Sequence, residues 1–391
     1  MKIRVHRGLD QIGGCITEIS TEKSRIFVDF GQNLPGVGTP STPEEDRKMV
    51  KSILSQNLKQ HQAIIYTHAH SDHVGLFFYI PEDIPQYIAE GGKEILIAKY
   101  NMMRNPIKYD LIKKIENFHT WKNSSPSLNS FTIGDIRITP FINSHSIYDS
   151  YMLLIEAEGK RIWHTGDFRS HGYLGDRLFP TLKLHATNID VLIIEGTMLK
   201  REDECIHETE VSKRMAEEME NYKYIVVLAS ATDMERLASI KEAAQKAKKD
   251  MYVCSPFLKK TMRIFTKREA CNSNGLFDFH PKNFNFLNRF FMKRKGFVLI
   301  AGASQLFYVK ALCGDLTSKD LLLIYSSWDG YYKDPVQVAI NPNYKNFRDA
   351  FSNVIDIHTS GHADKATIHK VIETVCPKEV ICIHKEADAT L

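Results

Sequence analysis

The sequence predicts an α/β fold in more than one part, and three observations predict it. The first 30 residues read as short alternating strands with a turn between them. Apolar runs too short for helices recur up to residue 197. Beyond that, strand-like and helix-like stretches alternate.

Taken in order, the strands of the start are KIRVHRGL, CITEIS and RIFVDFG, with a turn at Thr21 to Ser24. The stretch NLPGVGTPSTP (33–43) is a loop rich in Pro, Gly, Ser and Thr. AIIYT (63–67) is a buried-strand pattern, and HVGLFFYI after it is expected to begin a helix. YMLLIEA and RIWHT flank Glu158-Gly159-Lys160 as the arms of a hairpin would. VLIIEGT (191–197) is another apolar strand. YIVVLAS, the helical DMERLASIKEAAQKAKK and MYVCS then carry the αβ texture, and VIDIHTSGH, ADKATIHKVIETV and EVICIHK form a last strand–helix–strand unit.

Length and composition narrow the function classes. A chain of 391 residues with 43% hydrophobic content fits one large or two ordinary globular domains. The first 20 residues lack the apolar run of a signal peptide and no 18 apolar residues follow one another, so a cytoplasmic protein without a membrane span is expected. The seven cysteines are scattered without a Cys-x-x-Cys, which suggests neither a disulfide framework nor a zinc knuckle. Net charge is +4, but Lys241 to Lys295 holds fourteen Lys and Arg against four Asp and Glu, leaving the remainder mildly acidic. Aromatics interrupt this basic stretch, as in FDFHPKNFNFLNRFFMKRKG (277–296). Such a composition can stack bases and neutralise phosphates, with Lys293, Arg294 and Lys295 as contacts. It can equally be a packed core beneath a solvated surface.

YTHAHSDHVG (66–75) carries the chemistry. Residues two apart on an extended segment project to one side, so His68 and His70 can grip one ion. Ser71 could cap a helix start that turns Asp72 and His73 towards a neighbouring position. Imidazole suits zinc and carboxylate tolerates zinc or manganese, so two adjacent divalent ions are expected. Further ligand types end other strands: His145 after IRITPFI, Asp167 after RIWHT, and His384 in ICIH. Asp167 is the natural bridge between two ions.

The order H-x-H-x-D-H, His, T-G-D and a terminal strand-His resembles the metallo-β-lactamase fold family. IIEGT (193–197), HTSGHADK (358–365) and ICIHKE (381–386) resemble the three added motifs of its nucleic-acid-processing β-CASP branch. GLDQIGGCITEI with FVDFG, and VVLASATDMERLASIKEAAQKAKK, are most similar to ribonuclease J-type nucleases. The resemblance implies an αββα sandwich with an inserted β-CASP α/β domain: residues 1–198 and 346–391 for the first, 199–345 for the insert. It implies that His68, His70 and His145 hold one metal, that Asp72, His73 and His384 hold the other, and that Asp167 touches both. Asp29 would orient ligands from behind. Asp72, Glu195 and His362 would form the catalytic set, with His362 giving a proton to the leaving oxygen. Thr359, Ser360 and Gly361 would seat a phosphate ahead of a helix, unless they are an ordinary helix cap.

The implied activity is hydrolysis of single-stranded RNA by a hydroxide that two metal ions generate. Zinc is favoured over manganese by the histidine-rich first site. The rivals are a DNA-processing nuclease of the same fold, a catalytically silent nucleic-acid-binding subunit and a small-molecule metallo-hydrolase. Two positions depart from the family pattern. Lys385 stands where His-Gly-Glu has glycine, and Cys15 stands where similar nucleases often have asparagine. Neither the choice of RNA or DNA, nor the mode of cleavage, nor the oligomeric state is legible.

Overall fold

The structure is a computed structural model that describes residues 1–391 apart from 123–128, 202–204, 285–288, 315 and 317. The chain divides into two compact units, residues 1–204 with 361–391, and residues 205–360.

The first unit holds two six-stranded sheets. One consists of β1 (Lys2–Arg7), β2 (Ile16–Ser20), β3 (Ser24–Val28), β4 (His61–Ile65), β5 (Gln86–Ala89) and β6 (His119–Trp121), in that order. The other contains β7 (Phe131–Ile133), β8 (Ile136–Ile142), β9 (Tyr151–Ala157), β10 (Lys160–His164), β11 (Val191–Glu195) and β18 (Glu379–Ile383), ordered 18-11-10-9-8-7. Alternation within each strand divides the second sheet between two cores. Leu153, Ile155, Ile162, Ile193 and Ile383 face the first sheet, packing with Ile19, Ile26, Val28, Ala63 and Ile65. Leu154, Trp163, Leu192 and Ile194 face outwards onto Leu178 and Leu182 of helix 178–185 and Ile368 and Val371 of helix 365–375. With both faces covered, the strands read as continuous apolar runs. The expected hairpin forms between β9 and β10, with Glu158 and Gly159 both at positive φ.

On the first sheet, α1 (Pro43–Ser55) starts with a capping box in which Thr42 and Glu45 satisfy each other's backbone N–H groups. The helix expected from HVGLFFYI is cut short. α2 is one turn, Ser71–Val74, followed by a 3-10 turn at Phe77–Tyr79. The carbonyl of His73, which a continuing helix would need, accepts instead from Phe30 N, and Leu76 N turns back to the Phe30 carbonyl. α3 (Glu90–Asn101) follows β5, and the Asp149 carboxylate accepts from Gly91 N and Gly92 N at its start.

The second unit is one parallel sheet, ordered 14-13-15-12-16-17: β12 (Tyr224–Leu228), β13 (Met251–Val253), β14 (Lys282–Asn283), β15 (Phe297–Ala301), β16 (Leu321–Tyr325) and β17 (Val354–Asp356). The chain stays in this unit past residue 345 because β17 adds to the edge of β16, register Ile324 to Ile355. Buried Arg236 ties the unit together. It holds Glu208 by two nitrogens and also donates to the Ser326 hydroxyl and the Thr359 carbonyl.

Candidate metal centre

The site is built where strands of the first unit end. β3 runs parallel to β4 in one sheet, and β10, β11 and β18 run parallel to one another in the other, so within each sheet their C-terminal ends lie on one side. Asp29 follows β3, His68 and His70 follow β4, His145 follows β8, Asp167 follows β10, and His384 follows β18. α2, which begins six residues after β4 ends, delivers Asp72 and His73. Its first residue is Ser71, so the expected cap is not made: the N-cap is His70, without a side-chain bond.

Three sets of ligand atoms each converge within 4.8 Å: His68, His70 and His145; Asp72, His73, Asp167 and His384; and Asp167, Glu195, His362 and His384. Asp167 is common to the last two. Its Oδ2 is 3.0 Å from His73 Nε2, 3.5 Å from His384 Nε2, and 3.9 Å from His68 Nε2. His70 Nδ1 and His145 Nε2 face each other at 3.1 Å. Every residue here is buried except His70 and His362, which are partly so.

Outer contacts fix which ring nitrogen points inwards. His73 Nδ1 donates to Asp29 Oδ2 at 2.8 Å and His145 Nδ1 donates to the Gly361 carbonyl at 2.6 Å. His384 Nδ1 meets the Thr197 hydroxyl at 2.8 Å and His68 Nδ1 meets that of Thr67 at 3.0 Å. Asp29, at a φ of 63°, is itself held by the amide and hydroxyl of Thr67, at 2.8 and 2.9 Å. Gly31 matters by close approach, since a Cβ there would lie 1.6 Å from the Asp72 carbonyl oxygen.

Electrostatics match the geometry. Burial and the neighbouring imidazoles hold His68 and His145 well below the usual histidine range, and burial lowers His70 to about 4. These three rings are therefore neutral at pH 7, with lone pairs to give. Burial opposes ionisation of Asp167, but His384 and His73 outweigh it and hold the carboxyl well below its ordinary value; Asp72 is lowered by His73 and His384 in the same way. Burial likewise disfavours a charged His73, yet Asp167, Asp29 and Asp72 raise it well above its ordinary value. The donor set fits divalent ions. His68 Nε2, buried and aimed at this cluster, has no hydrogen-bond partner among the described residues, which a metal ligand's inward nitrogen requires.

Beside the cluster, Glu195 Oε2 accepts from His362 Nδ1 at 2.9 Å and from the Thr197 hydroxyl at 2.6 Å, while Oε1 accepts from Phe168 N at 3.0 Å. Burial disfavours the imidazolium of His362, but Glu195, with Asp167 and Asp72, raises its pKa to about 9.

Other residues fall differently. Thr359, Ser360 and Gly361 do not open a helix: the helix begins at Lys365, capped by Asp364. Thr359 is buried, and its hydroxyl has no partner among the described residues. His164 accepts from Gly166 N at 3.0 Å, a lock on the turn before Asp167. Arg169 and His171 are buried, and Arg169 Nε donates to the Ser144 hydroxyl. The Lys385 ammonium turns to the Glu386 carbonyl at 3.3 Å, and buried Cys15 anchors the Asp72 carbonyl through its N–H at 3.1 Å. Lys293, Arg294 and Lys295 end helix Arg289–Lys295 in the second unit. Thr67 and Thr197 carry no signal of their own in the sequence, although each sits inside a motif, directly before His68 and two residues after Glu195.

A β-lactamase superfamily domain matches residues 40–225. Ribonuclease J of Helicobacter pylori is 32% identical over 172 residues, 43% of this chain and 23% of that protein. The RNase J-like protein of Methanocaldococcus jannaschii is 28% identical over 199 residues, 50% of this chain and 42% of that protein. These matched stretches span less than half the length of either relative. A crystal structure of a protein of unknown function from Enterococcus faecalis superposes with a TM-score of 0.74 at 19% identity, covering 99% of this chain and 94% of that one. The chain has the metallo-β-lactamase fold and is similar to the ribonuclease J type of the β-CASP group.

Proposed function

We propose that the protein is a metal-dependent phosphodiesterase that hydrolyses single-stranded RNA. One observation carries the reading: seven buried or half-buried ligands and the Glu195–His362 pair converge on one spot where strands end. His68, His70 and His145 would hold one ion, Asp72, His73 and His384 a second, and Asp167 both. Zinc suits the all-imidazole set, with manganese the alternative. When bound, the ions supply positive charge beside the phosphate and a water of lowered pKa.

The chain's own groups supply orientation and a proton. Asp29 and Thr67 keep the His73 and His68 rings turned inwards. Glu195 occupies His362 Nδ1, so the proton passed to the leaving oxygen comes from Nε2. A pKa of about 9 keeps that proton in place at neutral pH, before the leaving oxygen develops charge. Asp72, the third member of the expected catalytic set, acts in this reading as a ligand.

Nucleic acid as substrate draws support from the second unit. Phe290 and Phe291 are 72% and 61% exposed, one turn before Lys293, Arg294 and Lys295 on the same helix. Exposed rings beside cations suit bases and phosphates better than a solvated surface does. The relatives named for ribonuclease J favour RNA over DNA. Among the described residues no helix is long and apolar enough to cross a membrane. Among the described residues no disulfide joins the cysteines, which suits the cytoplasm, where such RNA is found.

The test is cleavage of matched 5′-monophosphorylated, 3′-labelled single-stranded RNA and DNA by the zinc- or manganese-loaded protein, with Asp167→Ala as control. Cleavage of RNA that the control loses supports the proposal, and product lengths separate exonuclease from endonuclease. Cleavage of DNA alone, or of neither strand with metal bound, overturns it.

A further inference from the structure

The helix that lies along the ligand loop ends in an unshared positive charge. At the start of α3, held by Asp149, a Cβ on Gly92 would come 3.9 Å from that of Ala69, between His68 and His70. Near its other end the Tyr100 ring packs 5.6 Å from that of Phe77, three residues beyond α2. Both ends of the helix are therefore anchored to the segment that carries His68, His70, Asp72 and His73. Lys99 follows Gly92 by seven residues, two turns along the same stripe. Its side chain is exposed, yet the surrounding protein lowers the ammonium's pKa, and the charge that opposes this is that of Asp72.

The sequence leaves this lysine without a helical partner. On other helices a lysine meets a carboxylate four residues away, as Lys48 does Glu44 at 2.8 Å and Lys333 does Asp329 at 2.7 Å. Four residues before Lys99 is Ile95 and four after is Met103, and residues 95–109 hold Lys99, Arg104 and Lys108 with no carboxylate. Neither Lys99 nor Arg104 has an ion-pair partner among the described residues. The turn into α4 (Lys108–Glu116) also exposes Met102, Ile107 and, at 67%, Tyr109, and Lys108 lies over the Tyr109 ring at 5.3 Å. A lysine in a last helical turn complements the helix dipole, which explains neither the missing acids nor the exposed apolar side chains beside it.

We propose that Lys99 seats a phosphate of the substrate strand next to the one that is cut, and that the turn behind it, through Arg104 and Tyr109, takes the strand's following phosphate and base. The proposal deepens the phosphodiesterase reading and rests on it for the chemistry of the ligand. Asp72 is a metal ligand in that reading, so the ammonium beside it is left for an anion that arrives with the strand. Lys99 binds and orients; no bond is made or broken there.

The experiment measures, by fluorescence anisotropy across a salt series, the binding of a labelled riboadenylate dodecamer to the full chain, stripped of metal by chelation so that nothing is cut. One phosphate contact on a single strand contributes about 0.7 to the slope of log K against log salt, which is about eightfold in affinity at ~0.05 M salt and about threefold at ~0.2 M. Lys99→Ala, at an exposed helical position that alanine favours, is expected to lose that much, and Lys99→Arg, which keeps the charge, to keep it. Tyr109→Ala should weaken binding about tenfold, the loss of one stacked base, without changing the slope. Lys48→Ala, which removes an exposed and paired charge elsewhere on the first unit, should change neither. In the zinc-loaded protein the loss from Lys99→Ala should fall on KM rather than kcat. Affinity and slope in Lys99→Ala equal to those of the unaltered chain, or the same loss from Lys48→Ala, overturns the proposal. If no strand is cut while the Lys99 effect persists, the hydrolytic reading falls and the strand seat stands; if strands are cut and Lys99→Ala has no effect, the seat falls and the reading stands.

Discussion

Glu195→Gln gives the sharpest test of how the proton donor is tuned. The substitution keeps the side chain's size and an acceptor for Phe168 N, but removes the charge 2.9 Å from His362 Nδ1. With Glu195 in place the imidazole titrates at about 9; without it, burial is opposed only by Asp167 and Asp72, whose charge bound ions would neutralise. His362 should then fall to its ordinary 6.5 or below, because burial alone lowers it. An acid must hold its proton, so activity is lost as pH rises through the donor's pKa. At pH ~8 a donor of pKa ~9 is about nine-tenths protonated and one of ~6.5 about 3%, a loss of roughly thirtyfold in kcat; at pH ~6 the two differ by less than about twofold. Bound cations lower both limbs alike, so the readable quantity is the separation of about 2.5 pH units or more between the two proteins. The assay is single-turnover cleavage of a labelled RNA across pH 5.5 to 10 at saturating metal. Coincident upper limbs, or a loss of equal size at every pH, would refute the argument that Glu195 sets the His362 pKa.

Replacing His362 by alanine should leave bound metal unchanged by elemental analysis while slowing the chemical step by about 10²- to 10⁴-fold. Gly31→Ala should lose metal and stability together, because its Cβ falls 1.6 Å from the Asp72 carbonyl oxygen and the ligand loop must move; metal content and a thermal melt both read this out. Arg236→Met leaves the Glu208 carboxylate buried without its partner and should destabilise the second unit by about 3–5 kcal/mol in urea unfolding, with much of the loss recovered on adding Glu208→Leu. Substituting Lys293, Arg294 and Lys295 together should weaken single-strand binding and flatten the slope of log K against log salt by up to about two, read by fluorescence anisotropy; an unchanged slope would return these residues to a solvated surface.

Much of the architecture was legible because local pattern and burial agree. The β9–β10 hairpin follows from apolar arms around Glu158-Gly159, and the strands of the second sheet announced themselves as apolar runs because Leu153 and Leu154, or Trp163 and Ile162, serve opposite cores. What failed was decided by distant partners. Nothing in HVGLFFYI says that Phe30, more than 40 residues earlier, will take the His73 carbonyl and stop the helix. Asp364 caps the last helix, and HTSG stops short of it, because a cap depends on one residue's φ and ψ rather than on the run of polar residues before it. Arg169 looks like a loop residue until Ser144 is brought beside it. Thr197 is illegible for a related reason: a hydroxyl is ordinary in sequence and acquires its role only when β11 and β18 lie side by side, putting Glu195 and His384 within its reach.

That pairing explains why so scattered a set of ligands converges. β18 pairs in parallel with β11, Ile383 opposite Glu195, so the next residue, His384, emerges at the end where Thr197 turns away. A slip of one residue would exchange the faces of β18, sending Ile383 out of the inner core and Cys382 into it, and would swing His384 away from Asp72 and Asp167. The burial of Ile383 and the reach of His384 therefore demand the same register. β10 meets the same condition, where Ile162 packs inwards and Asp167 follows three residues after the strand's end. The hydrophobic periodicity that builds the sandwich is thus also the device that aims its ligands, which is why each ligand motif in this sequence sits directly behind an apolar run.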